Sequence, residues 1–153
     1  MDLDCPQCKH PFFGQTGVRV ASFALLKVEG EDGVDSTTYA AALGHLAAAF
    51  GRVGDYQKQK ELLERALPIK ERTYGPEHVA VAVTLSNLGV AVGNLGDYQK
   101  MKELLQRVLS IQERAYGPEH VAVAVTLSTL GSALGSLGDY QKPKELLERA
   151  LSI

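Results

Sequence analysis

The sequence predicts an all-α fold, an α-solenoid of stacked antiparallel helix pairs whose third pair is cut short. Three observations carry this prediction. The string G-D-Y-Q-K recurs around Tyr56, Tyr98 and Tyr140, each copy 42 residues after the last. Aligning residues 54–95 with 96–137 leaves ten of the 42 positions different. A fixed period of about 20–50 residues marks a repeat architecture and outranks local propensity as evidence. Each period also holds two apolar patterns of helical spacing, punctuated by Gly-Asp at one joint and Gly-Pro at the other.

Residues 1–34 precede the clear repeats. A shift of one period sets Val20, Ala24 and Leu25 on Leu62, Ala66 and Leu67. The stretch VRVASFALLKV therefore reads as a degenerate second helix that caps the first pair, since terminal repeats are often atypical. A short strand or a disordered arm is the rival reading. The repeat domain then covers 35–153, in units of about 35–76, 77–118 and 119–153.

The first helix of each unit carries one apolar stripe with three- and four-residue steps. It reads Leu43, Leu46, Phe50, Val53, then Leu85, Leu88, Val92, Leu95, then Leu127, Leu130, Leu134, Leu137. The run V-A-V-A-V at Val79–Val83 resembles a strand only in isolation. Its register with Leu85 and Leu88 makes it the first turns of a helix running from about His78 to Leu95. Internal glycines, Gly89 and Gly93 or Gly131 and Gly135, each cost ~1 kcal/mol relative to Ala. These helices are expected to depend on stacking.

The second helix of each unit starts after Gly-Asp. Gly96 suits a left-handed turn, and the Asp97 carboxylate suits an N-cap. Met101, Leu104, Leu105, Val108 and Leu109 form its buried face. It continues to about Tyr116, where Gly117 closes it and Pro118 stops it. Pro68 falls inside the first such helix and is expected to bend it, at ~3 kcal/mol without compensating packing. Pro143 falls near the start of the last one, where a missing donor is tolerated. Ile153 aligns with Ile69 and Ile111, so Leu146, Leu147 and Leu151 are expected to lack their next neighbour and that end to fray.

The spacing L-x-x-L-G-x-x-V at Leu85, Leu88, Gly89 and Val92, with the G-D-Y turn, resembles the tetratricopeptide repeat (TPR). The 42-residue period and the string L-L-E-R-A-L-x-I-x-E-R-x-x-G-P-E-H look like the kinesin-light-chain-type subgroup. The resemblance covers about Asp35 to Ile153 and implies a right-handed superhelix. This chain departs from the family at a small position of the second helix. The usual small residue four positions into the second helix is replaced by Gln59, Met101 and Pro143, which predicts looser packing there. The later small position is kept better, as Ala66, Val108 and Ala150.

Composition sets limits on partners. The net charge is −2, the pI about 6.1, and charged residues make up 22% of the chain. Nucleic-acid surfaces show a clustered basic excess, which is missing, so no nucleic-acid partner is expected. No apolar run reaches the ~18 residues that suggest a membrane span, and the acidic, polar start does not read as a secretory signal. A cytoplasmic protein without a cofactor is the expectation. Cys5 and Cys8 have the spacing of half a zinc knuckle, but a structural zinc wants four ligands and no second pair exists. Two reduced thiols in a loose arm are the favoured reading. Glu77-His78 and Glu119-His120 are the recurrent acid–imidazole pairs. Catalysis needs a partner group and a substrate position as well, so both pairs are read as helix starts and no catalytic residue is expected.

The resemblance implies that the first helices line a peptide-binding groove. By family position the groove takes Gly44, His45, Ala48 and Arg52 from the first pair. It takes Ser86, Asn87, Val90 and Asn94 from the second, and Ser128, Thr129, Ser132 and Ser136 from the third. Asn87 matches the asparagine that hydrogen-bonds a ligand backbone in peptide-binding relatives, a task for a group that both donates and accepts. Such a groove is small-residued, hydroxyl-rich and nearly uncharged, with Arg52 its one cation. A terminal-carboxylate clamp and a strongly acidic partner are therefore not expected. The leading function is a non-enzymatic scaffold that binds a protein or peptide segment. The alternative is self-association, end to end or by helix exchange, through the exposed C-terminal end.

Overall fold

In a computed structural model, which describes residues 13–30, 35–139 and 141–153, the chain is seven helices without a strand among the described residues. They are α1 (Phe13–Gly30), α2 (Ser36–Arg52), α3 (Tyr56–Tyr74), α4 (Val79–Asn94), α5 (Tyr98–Tyr116), α6 (Val121–Ser136) and α7 (Gln141–Leu151). Each helix packs on the next in sequence, and α2 also touches α4. The paired units are α2–α3, α4–α5 and α6–α7, with α1 packed on α2. Residues 13–30 are thus helical, while Cys5 and Cys8 lie outside the described residues.

The Gly-Asp joint explains itself chemically. Gly96 has φ of 89°, the left-handed region that glycine enters without penalty. This turns the chain so that the Asp97 amide donates to the Val92 carbonyl at 2.9 Å, closing α4. The carboxylate of the same residue accepts from the Lys100 amide at 3.0 Å and opens α5. One aspartate therefore satisfies orphan groups on both helices. Asp55 does the same between α2 and α3, with bonds of 3.0 and 3.1 Å. At the head of α2, Asp35 is held down to about 2, first by the Thr37 hydroxyl and then by the amide and hydroxyl of Thr38. The sign follows from a lowered carboxyl: this cap acts fully above the ordinary value of 3.8 and fades as pH falls through about 2.

At the Gly-Pro joint, Gly75 (φ 91°, ψ 151°) and Gly117 (φ 89°, ψ 159°) occupy a region essentially closed to residues with a Cβ. The next helix is then capped by a histidine. Nδ1 of His78 accepts from the Ala80 amide at 3.1 Å, and Nδ1 of His120 accepts from Ala122 at 3.1 Å. Each imidazole stacks on the tyrosine that ended the previous helix, Tyr74 at 5.1 Å and Tyr116 at 4.6 Å between centroids. Glu77 pairs with Arg114 at 2.8 Å. Both members of the Glu77-His78 pair thus hold the joint.

The core is a ladder of one-period equivalents. Leu43, Leu85 and Leu127 are fully buried, as are Leu63 with Leu105 and Val81 with Val123. On the opposite side, ion pairs link second helices directly: Arg107 to Glu71 at 2.6 Å and Arg149 to Glu113 at 2.5 Å. These are partly exposed and each contributes at most about 1 kcal/mol. α3 runs through Pro68 as a single helix, with the proline on its exposed side.

The expectation of loose packing at Gln59 and Met101 is corrected. Both are buried, at 8% and 9% exposure. The small residue has changed helices: Gly51 and Gly93 on the first helices make the room. A Cβ on Gly51 would come within 2.7 Å of Gln59 Nε2, and one on Gly93 would overlap Met101 Sδ. The exchange has one cost, because the buried Oε1 of Gln59 has no hydrogen-bond partner among the described residues. Gln59→Met, which copies the second unit, should therefore stabilise the chain by about 1–3 kcal/mol in chemical denaturation.

Candidate functional site

The helical repeat of α4 sets Val83, Asn87, Val90 and Asn94 in one row, at steps of four, three and four residues. All four are exposed although the rest of α4 is almost wholly buried. One period away the same row reads Ala41, His45, Ala48 and Arg52 on α2, and Val125, Thr129, Ser132 and Ser136 on α6. This row is the candidate groove face. Val83 and Val125 are 59% and 62% exposed, the most apolar part of the face. They were missing from the sequence-derived set, although a step of four back from Asn87 and Thr129 finds both.

Among the described residues, three clefts lie along the α4 part of the row. Two lie between α2 and α4, of about 380 and 290 Å³. Asn87 and Ala48 line both of them. His45, Gly44 and Val83 line the smaller one, while Arg52, Val90 and Asn94 line the larger. The third, of about 340 Å³, lies between α4 and α6, with Val90, Asn94 and Thr129 on its wall. Ser86 and Ser128 fall beside the row and are half-buried.

The polar side chains of this face divide into spent and unspent groups. Thr129, Ser132 and Ser136 donate their hydroxyls to Val125, Ser128 and Ser132 carbonyls of their own helix. The Asn94 amide donates to the Val90 carbonyl at 2.9 Å. The Asn87 amide makes no hydrogen bond among the described residues, so its donors and its acceptor are both available where the two α2–α4 clefts meet. That distinguishes it from every other polar residue in the α4 row.

The expectation of a single cation is corrected. Lys70, from the last turns of α3, lines the smaller α2–α4 cleft beside His45, Thr84 and Asn87. It is half-buried, and that burial pushes its amine below the ordinary lysine value. Family position hides it, because it belongs to a second helix. The same placement recurs one period on, where Gln112, its equivalent, accepts from the Thr126 hydroxyl at 2.7 Å and so faces a first helix. No group of three or more His, Cys, Asp or Glu side chains placed to hold a metal occurs among the described residues.

The sequence matches the tetratricopeptide repeat model over residues 38–100 and 90–153. No curated protein matches it. Among solved structures it is similar to BtubC (BKLC) from P. vanneervenii, with a TM-score of 0.82 and 22% identity over 91% of this chain and 56% of that one. It is similar also to a Podosopora anserina protein of nearly identical TPR-like repeats of the kinesin light chain kind, with a TM-score of 0.80 and 26% identity. That match covers 91% of this chain and 66% of the other. MamA is a more distant likeness, at a TM-score of 0.63 and 19% identity over 91% of this chain and 72% of that one. The chain spans a little over half to two thirds of the first two proteins. With the repeat model matched across most of its length, the chain belongs to the tetratricopeptide repeat family, and its repeats are kinesin-light-chain-like.

Proposed function

We propose that this chain is a non-enzymatic scaffold whose α2, α4 and α6 face holds a segment of a partner protein. Tetratricopeptide repeats generally mediate protein–protein interaction, and the finer statement rests on one observation. The unspent amide of Asn87 stands at the junction of two clefts, flanked by the exposed apolar side chains of Val83 and Val90. A side chain that donates and accepts at once is suited to a peptide backbone, whose groups repeat as donor and acceptor. The valines supply apolar contact along the same line. No acidic residue lies within α2, α4 or α6, and Arg52 and Lys70 are the cations of the α2–α4 clefts. The partner segment is therefore largely neutral, with room for one carboxylate beside Lys70. The reading against catalysis is supported by the work Glu77 and His78 already do at the joint.

A peptide array probed with the chain and with Asn87→Ala tests the reading. Sequences bound by the natural chain should lose about tenfold in affinity with Asn87→Ala, the worth of one or two hydrogen bonds. Hits that ignore the substitution would remove Asn87 from the site. A second reading, self-association, is favoured by the exposure of Leu147 (44%) and Leu151 (87%) on α7. Light scattering over a concentration series separates the two, since a constant monomer mass discards self-association.

A further inference from the structure

Two of the clefts along the groove row are the same place one period apart. The larger α2–α4 cleft is walled by Ala48, Arg52 and Tyr56, with Gly51 and Gln59 beneath them. The α4–α6 cleft is walled by Val90, Asn94 and Tyr98, with Gly93 and Met101 beneath them. Each residue of the first set has its counterpart in the second 42 positions on. The tyrosine is the first residue of a second helix, so the Gly-Asp turn sets it at the edge of the groove. Tyr140, third in the series, lies outside the described residues.

First helices of such a stack stand on the order of 10 Å apart, so a segment laid across them meets equivalent clefts at that interval. A polyproline II segment has about three residues per turn and repeats each of its edges about every 9 Å. A β-strand repeats a face about every 7 Å. An α-helix returns near 10 Å over about seven residues, but its backbone groups are already bonded to one another. It would leave the unspent amide of Asn87 without a use. Polyproline II has no internal hydrogen bonds and presents its carbonyls outward. The balance of donors points the same way. Arg52 and Asn87 are donors in the α2–α4 cleft, and no carboxylate lines either cleft. Proline answers with a carbonyl and no N–H. The α4–α6 cleft carries no charged residue, which suits a neutral ligand.

We propose, on the reading that this groove is the binding face, that its ligand is a neutral, proline-rich segment of a partner protein in the polyproline II form, with proline at every third position. Successive prolines occupy the two clefts, packed on Tyr56 and Tyr98, in the way such segments use aromatic-lined grooves. The residues between them lie over Asn87 and toward Val83. Asn87 and Arg52 donate to the exposed carbonyls. A segment already stiffened in this form loses little freedom on binding, which favours affinity from only two clefts.

Two labelled peptides of about 12 residues and identical composition, one with proline at every third position and one at every second, provide the test by fluorescence anisotropy. The first should bind about tenfold tighter than the second. Tyr98→Ala should weaken it about fivefold, while Tyr98→Phe should bind it like the natural chain. Tyr98 is 36% exposed, so circular dichroism should show the helices kept in both variants. Equal binding of the two peptides, or of neither, overturns the proposal. Array hits that need Asn87 but carry apolar residues at alternate or helical steps overturn it and leave the groove reading intact. Hits that ignore Asn87→Ala remove the groove reading and this ligand with it. A dimer in light scattering that Tyr98→Ala dissolves gives the clefts to a second copy and also overturns the proposal.

Discussion

Leu105→Ala is expected to cost about 2–5 kcal/mol in chemical denaturation, while Leu147→Ala, at the same repeat position, costs about 1 kcal/mol. Leu105 is 1% exposed and Leu147 is 44% exposed. The difference is topological. α5 is enclosed between α4 and α6, whereas α7 packs on α6 alone among the described helices. Leu105 meets α4 at Gly89, where a Cβ would lie 3.5 Å from its Cγ, and its removal leaves a cavity that neighbours on two sides must close around. Leu147 makes the corresponding contact with Gly131, at 3.7 Å, and its other side is already in solvent. Equal losses at the two positions would mean that the face of α7 away from α6 is covered in solution.

Gly93→Ala and Gly135→Ala should have opposite signs, again at one repeat position. Alanine is favoured over glycine in a helix by ~1 kcal/mol. At Gly135 no atom of the described residues beyond its own helical turn lies within 4 Å of the added methyl, so that gain should appear in full. At Gly93 the methyl would occupy the place of Met101 Sδ. Methionine is adaptable, but here it is buried against the glycine and must leave a filled site. Overpacking should outweigh the propensity gain and leave a net loss of about 1–2 kcal/mol. Met101→Ala in the same chain should remove the clash, so the double variant should lose less than the sum of the two single changes.

Much of the fold was legible because the repeat reports each element twice or more. The 42-residue register overrode the strand-like run Val79–Val83 and placed both joints within a residue or two. What the register could not show was the partner of each small residue. Gln59 and Met101 broke a family habit, and their compensation lay at Gly51 and Gly93, on the facing helix and eight positions upstream. Sequence reasoning counted the propensity cost of Gly93 and missed its packing use.

The candidate groove face was reached from the sequence through family position. Asn87, Val90 and Asn94, like Thr129, Ser132 and Ser136, were named by family position, and each set falls in one row of its helix. Lys70 reaches the same cleft from a second helix, and only three-dimensional packing brings it there. The Glu-His pairs were read as helix starts, and what stayed hidden was the chemistry by which a histidine caps. An N-cap is ordinarily a Ser, Thr, Asp or Asn, whereas His78 caps α4 through a ring nitrogen while stacked on Tyr74.

The central claim, that partners bind along the α2, α4 and α6 face, is tested most directly by methyl NMR. The chain would be labelled at valine and titrated with a peptide selected from the array. Val83, Val90 and Val125 report the groove row, Val20 reports the α1 face, and the fully buried Val108 serves as a control. Binding in the groove predicts shifts at Val83 and Val90 that saturate with the peptide, an attenuated response in Asn87→Ala, and still resonances at Val20 and Val108. Shifts confined to Val20, or saturable binding that leaves Val83, Val90 and Val125 unmoved, would contradict it.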